Sequence, residues 1–508
     1  MIETSASPRR RLAAGVASVA VLLAALDAYV VVTILVDIMR DMGIPIEHPE
    51  RATPIVTAYL LGYVAAMPLL GQLSDRIGRT RVIQGCLLFF AVGSVISAAA
   101  PTLPVLVGGR LVQGAAGGAL LPVTFAVISD LWEARSRSAP LGVVGASQEL
   151  GSVLGPLYGA GLAALAGWRS VFWVNIPLAA AAMFAVQRGL PPGERRTERR
   201  VDLGGGLLLA FALGAMIVGL YNPDTEQAVL PPWGAPFLVV AVLGLLAFVV
   251  WERRSASRLV DLSAVQTRPF FASLACSFLS GVALMVTLVD VPLLARTLLG
   301  EDSLGGALVL SRFLVALVAG AVAGGVVSGR TGERPVTIAG FLLAAGAYLL
   351  ISGWPLDISA ADYRLGGLSL PRMSVDLVLA GFGLGLVIAP LAAVALRAST
   401  PDQHGVVSAS VVVARMMGML IGIAALGAAG VYRFQQLTKD LVPPLPFGVS
   451  DREFQQQVEA YEEAIRSALH TEYGELFLVT AVVCALAAAA AIGLGRRPAG
   501  RVSASEAG

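Results

Sequence analysis

Six ionisable residues stand inside long apolar stretches of this chain: Asp27, Arg110, Glu149, Asp290, Arg312 and Arg415. A charged side chain at mid-bilayer costs about 2.5–3.5 kcal/mol on insertion scales, so each is a candidate for function. The set can do one kind of chemistry: carboxylates that take up and release protons, with arginines as switching counter-ions. Asp27 is the first choice for proton binding, because a carboxyl in an apolar span can hold a proton and be emptied by a nearby cation. The plainer reading is a helix-packing carboxyl with a fixed partner. Glu149 and Arg415 each lie about ten residues, or roughly 15 Å, into spans that start from the same side. Equal depth allows an ion pair between two halves of the molecule, one that opens when Glu149 is protonated. Asp290 sits near a span end, where an aspartate is often only solvated. Arg312 is either its partner or a snorkelling side chain. A cavity for cationic compounds would carry an acidic surplus, so three acids against three bases favour an uncharged cargo.

The elements that hold these residues are legible in composition. Of 508 residues 56% are hydrophobic and 14% charged, against about 25% charged in an average soluble protein. That excludes an ordinary soluble enzyme, and a net charge of +2 gives no field for nucleic acid. Reading each apolar run of about 20 residues as a spanning helix, fourteen spans are predicted. Six lie near 12–39, 52–73, 82–100, 104–129, 139–166 and 169–187, and six near 270–298, 305–328, 335–354, 376–397, 405–432 and 473–495. Two linker spans, near 203–221 and 233–251, stand between the sets with no ionisable residue at their centres and a structural role expected. With this count, 23 of the 36 Lys and Arg fall on one side, which places both termini in the cytoplasm of a multi-pass inner-membrane protein. The organisation is a first six-helix bundle over 1–188, two linker helices within 189–269, and a second bundle over 270–508. The run after Arg9-Arg10-Arg11 is too long for a signal peptide and is read as a retained first helix. Cys86, Cys276 and Cys484 are far apart in apolar runs and read as core residues. No metal or cofactor is expected.

Between spans two and three stands Gly71-Gln72-Leu73-Ser74-Asp75-Arg76-Ile77-Gly78-Arg79-Thr80-Arg81. The run closely resembles the cytoplasmic signature of the major facilitator superfamily. Gly71 and Gly78 allow a tight reversal and close helix approach, and Asp75 can accept from Arg76, Arg79 or a neighbouring helix end; the resemblance implies a latch between two halves, in which Asp75 pairs with the helix dipole and charges of the other half. A basic loop serving topology alone is the plain alternative. A degenerate echo at 324–334 supports duplication of a six-helix unit. Glu149-Leu150-Gly151-Ser152-Val153-Leu154-Gly155-Pro156-Leu157-Tyr158-Gly159 puts Gly151, Gly155 and Gly159 on one helix face, with Pro156 to bend it. It is similar to the antiporter motif of the same superfamily, although small-residue packing alone also produces such faces. Arg110-Leu111-Val112-Gln113-Gly114 resembles its buried-arginine motif, linked there to proton transfer.

Fourteen spans with these motifs look like the drug:proton antiporter branch. Asp27 is followed by Ala28-Tyr29-Val30-Val31-Val32-Thr33, not the Thr-Val-Val-Asn run usual in its drug exporters. With Met67-Pro68-Leu69-Leu70-Gly71, Gln148-Glu149-Leu150-Gly151, Thr287-Leu288-Val289-Asp290-Val291 and Val413-Ala414-Arg415-Met416, the chain resembles the triacylglyceride exporters of mycolic-acid-bearing bacteria. That resemblance implies an all-α major facilitator fold, a membrane lipid as substrate, protons as coupling ion, and a periplasmic lipid-carrying lipoprotein as partner of a monomeric transporter. Multidrug:proton antiport is the alternative.

Two outer loops are unusual. Pro355 to Asp376 centres on Leu365-Gly366-Gly367-Leu368, a two-residue hairpin signal, so a periplasmic hairpin is expected between core helices nine and ten. The last two spans lack prolines at their outer ends. Ser450 with Glu453 forms a capping box, and Phe454, Val458, Tyr461, Ile465 and Leu469 make an apolar stripe. A helical extension over about 433–472 is therefore predicted, either docking a carrier or lipid tail or resting on the bilayer or on its neighbour. His48, His404 and His470 all lie near span ends, with no nucleophile, metal-ligand or Walker spacing. Transport rather than catalysis is the expectation, driven by a proton or lipid gradient.

Overall fold

The computed structural model describes residues 8–44, 52–133, 136–191, 202–220, 230–255, 265–301, 303–365, 368–445, 447 and 450–495. Among them run fourteen α-helices: α1 (Pro8–Asp41), α2 (Thr53–Ile77), α3 (Arg79–Ala98), α4 (Leu103–Leu131), α5 (Ser138–Ala166), α6 (Arg169–Gly189), α7 (Leu203–Leu220), α8 (Gly234–Arg254), α9 (Thr267–Thr297), α10 (Ser303–Thr331), α11 (Glu333–Ser352), α12 (Arg372–Arg397), α13 (His404–Thr438) and α14 (Asp451–Ala490). Thirteen are long and apolar enough to cross a membrane. The fourteenth, α5, matches them in length at 29 residues. The chain is a nearly all-helical, multi-pass membrane protein.

Packing divides the helices as the hydropathy does. In the first bundle α1 lies on α5, α2 on α4, and α3 on α4 and α6; in the second α9 lies on α13, α10 on α12, and α11 on α12 and α14. The bundles meet along two seams, α5 against α10 and α2 against α13, while α7 and α8 pair and lean on α2. The turn from α2 to α3 is the single residue Gly78 at φ 103°, and that from α10 to α11 is Gly332 at φ 95°. Glycine alone takes such values without strain, so the weak sequence echo between 71–81 and 324–334 is a repeated backbone turn.

We refer to the end where α1 begins as the terminal end and to the other as the hairpin end. There β1 (Asp362–Leu365) and β2 (Leu368–Pro371) pair antiparallel with Leu365 opposite Leu368, the register expected; Gly366 and Gly367 lie outside the described residues. The hairpin is pinned to α12 through buried Asp376, which accepts from Trp354 Nε1 at 2.8 Å and Tyr363 Oη at 3.0 Å. Helix α13 has 35 residues and α14 has 40, about 52 and 60 Å at 1.5 Å per residue, so both overshoot a hydrocarbon core of about 30 Å. Ser450 caps α14 by accepting from the Glu453 N–H at 3.4 Å. The stripe Phe454, Val458, Tyr461, Ile465 and Leu469 is half-buried on the protein itself. Arg466 donates to the Leu298 carbonyl at 3.0 Å, and His470 Nε2 lies 2.7 Å from that of Trp354. Val442, Leu445 and Phe447 between the two helices stay exposed.

Candidate functional site

Asp27 and Arg110 lie inside the first bundle, each 1% exposed. Arg110 Nη1 donates to Asp27 Oδ2 at 2.6 Å, and Nη2 to the Asp27 carbonyl at 3.3 Å. The guanidinium rests on the Tyr59 ring, 4.1 Å from its centroid, a cation–π contact that helps hold a desolvated charge. Asp27 Oδ1 accepts from Asn175 Nδ2 at 2.7 Å and from Gln113 Nε2 at 3.4 Å. Gln113 is oriented in turn: Nε2 donates to Ser94 Oγ at 2.8 Å, and Oε1 accepts from Ser97 Oγ at 3.1 Å and Arg110 Nη1 at 3.2 Å. Both carboxylate oxygens are thus engaged by donors from α4 and α6, as burial of a charge demands.

Between the bundles a narrow cleft is lined by α4, α5, α9, α12 and α13, mostly with Leu, Val, Ile, Ala and Phe. Its polar wall is Gln148, Glu149, Ser277, Ser280 and Arg415. Arg415 Nη2 donates to Glu149 Oε1 across the seam, with Glu149 buried and Arg415 slightly exposed. Residues 149 and 415, which sequence depth puts level, are brought together. Two positions on, Gly151 packs on α1: a Cβ there would stand 3.0 Å from the Leu26 nitrogen. The helix that carries Glu149 therefore touches the helix that carries Asp27 one residue away from it. Gly155 and Gly159 are also buried; the side chain of Pro156 lies outside the described residues.

The terminal end is closed by the run 71–81. Asp75 Oδ1 accepts from the Gly405 N–H at 3.0 Å and Oδ2 from that of Val406 at 3.3 Å, at the start of α13. A carboxylate on a helix N-terminus is stabilised by unpaired amides and the dipole. Arg79 bonds Asp75, then reaches Asp130 Oδ2 at 3.2 Å and the Pro401 carbonyl at 3.3 Å. Gly71 permits the crossing, since a Cβ there would meet the Gly405 oxygen at 2.7 Å; Arg76 is exposed. Three further inter-half contacts lie at this end: Arg137 Nη2 to the Ala393 carbonyl at 3.3 Å, Ser408 Oγ to the Pro122 carbonyl at 2.7 Å, and His404 Nδ1 3.6 Å from Asp130 Oδ1. Arg137, counted among loop arginines in the sequence, is a buried strut.

Asp290 and Arg312 are not brought together. Among the described residues they form no ion pair; Asp290 is within electrostatic reach of Glu472, and Arg312 keeps a buried Nη1 without a hydrogen-bond partner. Sequence reasoning also passed over Asn175 and Ser94, although a neutral polar residue in an apolar span signals a buried partner.

A family profile described as Major Facilitator Superfamily matches residues 17–205 and 203–423. The chain is 52% identical over 486 residues to a triacylglyceride transporter of Mycolicibacterium hassiacum, covering 94% of this chain and 91% of that protein. It is 51% identical over 486 residues to a triacylglyceride transporter of Mycobacterium tuberculosis, covering 94% and 93%. Its fold matches the transporter FucP in the outward conformation, at a TM-score of 0.61 and 11% identity over 96% of this chain and all of the other.

Proposed function

This chain belongs to the major facilitator superfamily and is a membrane transporter, and on that premise we propose that it exports neutral, triacylglyceride-like lipid from the inner membrane toward the periplasm by proton-coupled alternating access. Its relatives are named transporters and its fold is a transporter fold, so transport rather than catalysis is the activity to explain. The observation that carries the reading is the Glu149–Arg415 pair, an ionic bridge across a mostly apolar cleft. A neutral ester brings no charge that could displace either partner. A proton can: once Glu149 is neutral, Arg415 is released and offers its donors to ester carbonyls. Asp27 is the second proton site, where Arg110 is the bonded counter-ion and the Gly151 crossing transmits movement between α1 and α5.

Direction rests on where the charges lie. The arginine-rich terminal end is assigned to the cytoplasm, so the latch built from Gly71, Asp75, Arg76, Gly78 and Arg79 is cytoplasmic and this conformation is closed on that side. The β-hairpin and the extension over about 433–472 then stand in the periplasm, where the exposed tip at Val442, Leu445 and Phe447 suits transfer to a lipid-carrying lipoprotein. Entry from the bilayer is lateral. Leu213 and Ile217 of α7 share an apolar cluster with Tyr63 of α2 and Val412 of α13, which supports the linker helices covering that seam. The working unit is a monomer, divided at 1–188, 189–269 and 270–508.

Reconstitution tests this. Purified protein in vesicles is expected to move labelled triacylglyceride to an acceptor faster with an imposed pH gradient, and Glu149→Gln and Arg415→Ala each to reduce that movement at least tenfold. Unchanged transport in both variants would sink the reading. Multidrug:proton antiport is the alternative, and drug efflux without lipid movement would establish it. Deleting residues 445–470 at normal protein level is expected to lower delivery to a lipoprotein acceptor, and intact delivery would remove the docking role.

A further inference from the structure

Asp27 has three side-chain donors, and they differ in freedom. Arg110 is charged and clamped between the Asp27 carboxylate, the Asp27 carbonyl and Gln113. Gln113 cannot reverse its amide, because its oxygen already accepts from Ser97 and Arg110 while its nitrogen serves Ser94. Asn175 is buried, and its amide makes the shorter of the two bonds to Oδ1, at 2.7 Å. It sits on α6 two residues before Pro177, inside the helix, where the missing N–H removes the rung to the carbonyl of residue 173. The turn that carries Asn175 is therefore short of one helical hydrogen bond. An asparagine amide can donate to a carboxylate and, turned over, accept from a protonated carboxyl.

We propose that Asn175 is the positioning residue that sets when Asp27 takes its proton: as donor it holds the charged carboxylate, and by turning or withdrawing it admits the proton. The inference rests on the reading of Asp27 as a proton site. The other titratable groups facing the carboxyl are Arg110 from α4 and, within electrostatic reach, Tyr158 from α5; Tyr59 of α2 lies beneath the guanidinium, and α3 supplies only the neutral Ser94 and Ser97. None of these bonds Oδ1, whose donors are Asn175 at 2.7 Å and Gln113 at 3.4 Å, so substitution at 175 removes the shorter of two bonds and leaves the Arg110 contact in place.

The test is an infrared titration of the full-length protein in liposomes, following the protonated-carboxyl band that disappears in Asp27→Asn. Removing a donor from a carboxylate disfavours the charged form, so Asn175→Ala is expected to move the band's midpoint up by about one to two pH units, and the pH profile of lipid transport with it. Asn175→Gln, which keeps the amide, is expected to recover at least half of the shift. If Asn175→Ala fails to fold, Asn175→Leu has the same branched shape and no donor and reads the same shift. A midpoint equal to wild type in the donor-free variant, or an equal shift in Asn175→Gln, overturns the role of Asn175 and leaves the proton site standing. If Asp27→Asn removes no band and leaves the pH dependence of transport intact, the proton reading falls and this inference with it.

Discussion

The two bundles share an architecture but fill corresponding interiors with opposite chemistry. In the first, α1, α3, α4 and α6 enclose Asp27, Ser94, Ser97, Arg110, Gln113 and Asn175, all almost inaccessible and joined by hydrogen bonds. In the second, α9, α11 and α14 enclose Thr287 and Tyr348, whose hydroxyls bond each other, with Phe477 stacked 6.4 Å from Tyr348 and Trp354 beside it. A close-packed aromatic core has one good arrangement. A hydrogen-bonded core around a titratable carboxyl has two, because one proton changes which atoms donate. The contrast assigns switching to the first bundle and rigidity to the second, and substitutions at matched sites can break or sharpen that assignment.

The largest effect is expected at Arg110. Arg110→Ala leaves Asp27 buried without its cation, and breaking one side of a buried pair typically destabilises by about 3–5 kcal/mol. Thermal unfolding of the purified protein should fall steeply, and Asp27→Asn added to that background should recover much of the loss, since it removes the stranded charge. If Arg110→Ala unfolds with the wild type, the interior of the first bundle is not organised around this pair.

Next comes the pair that joins the bundles. Arg415 is partly open to the cleft, so Arg415→Ala should cost less stability than Arg110→Ala while abolishing lipid transport. The exchange Glu149→Arg with Arg415→Glu is expected to restore part of the activity, because the bridge across the seam is re-formed with reversed sign. No recovery in the double variant, with both proteins folded, would mean that residue identity and not the bridge is what matters.

How much of this was legible in the sequence follows from what each residue's neighbours are. The pairing of Glu149 with Arg415 could be read because depth along a span is sequence distance multiplied by helical rise. The β-hairpin and the Ser450 cap could be read because their geometry is local. Arg137 and His404 could not: both lie at span ends and resemble solvated residues, but the other bundle folds over them, and Arg137 meets a carbonyl 256 positions away. Asn175 was missed for a different reason. It carries no charge to stand out against its span, and the direction a helix face points is set by packing, not by its own sequence.

A smaller effect is expected at the latch. Asp75→Asn keeps the shape but removes the charge set on the first amides of α13, an interaction of about 1–2 kcal/mol in partly buried geometry. The protein should stay folded while the ratio of the conformation closed at the terminal end to its alternative falls roughly tenfold, the factor that about 1.4 kcal/mol sets. Labelling of single cysteines placed in the cleft from the hairpin side should slow accordingly. Unchanged labelling would reassign the closure to Arg137 and Ser408.

The smallest effect is expected at Tyr348, and it bears most directly on the contrast between the bundles. Tyr348→Phe deletes one hydroxyl, leaving the ring on Phe477 and the Thr287 hydroxyl with its own bond to the Ala283 carbonyl at 3.0 Å. Because Thr287 keeps that partner, no buried donor is stranded, and the loss should be about 1 kcal/mol or less. Transport should be unchanged at every pH, since the substitution touches no carboxylate: Thr287 bonds the Ala283 carbonyl and the Tyr348 hydroxyl. A pH profile that moves in Tyr348→Phe would place a titrating step inside the second bundle, and the division into a switching half and a rigid half would have to be given up.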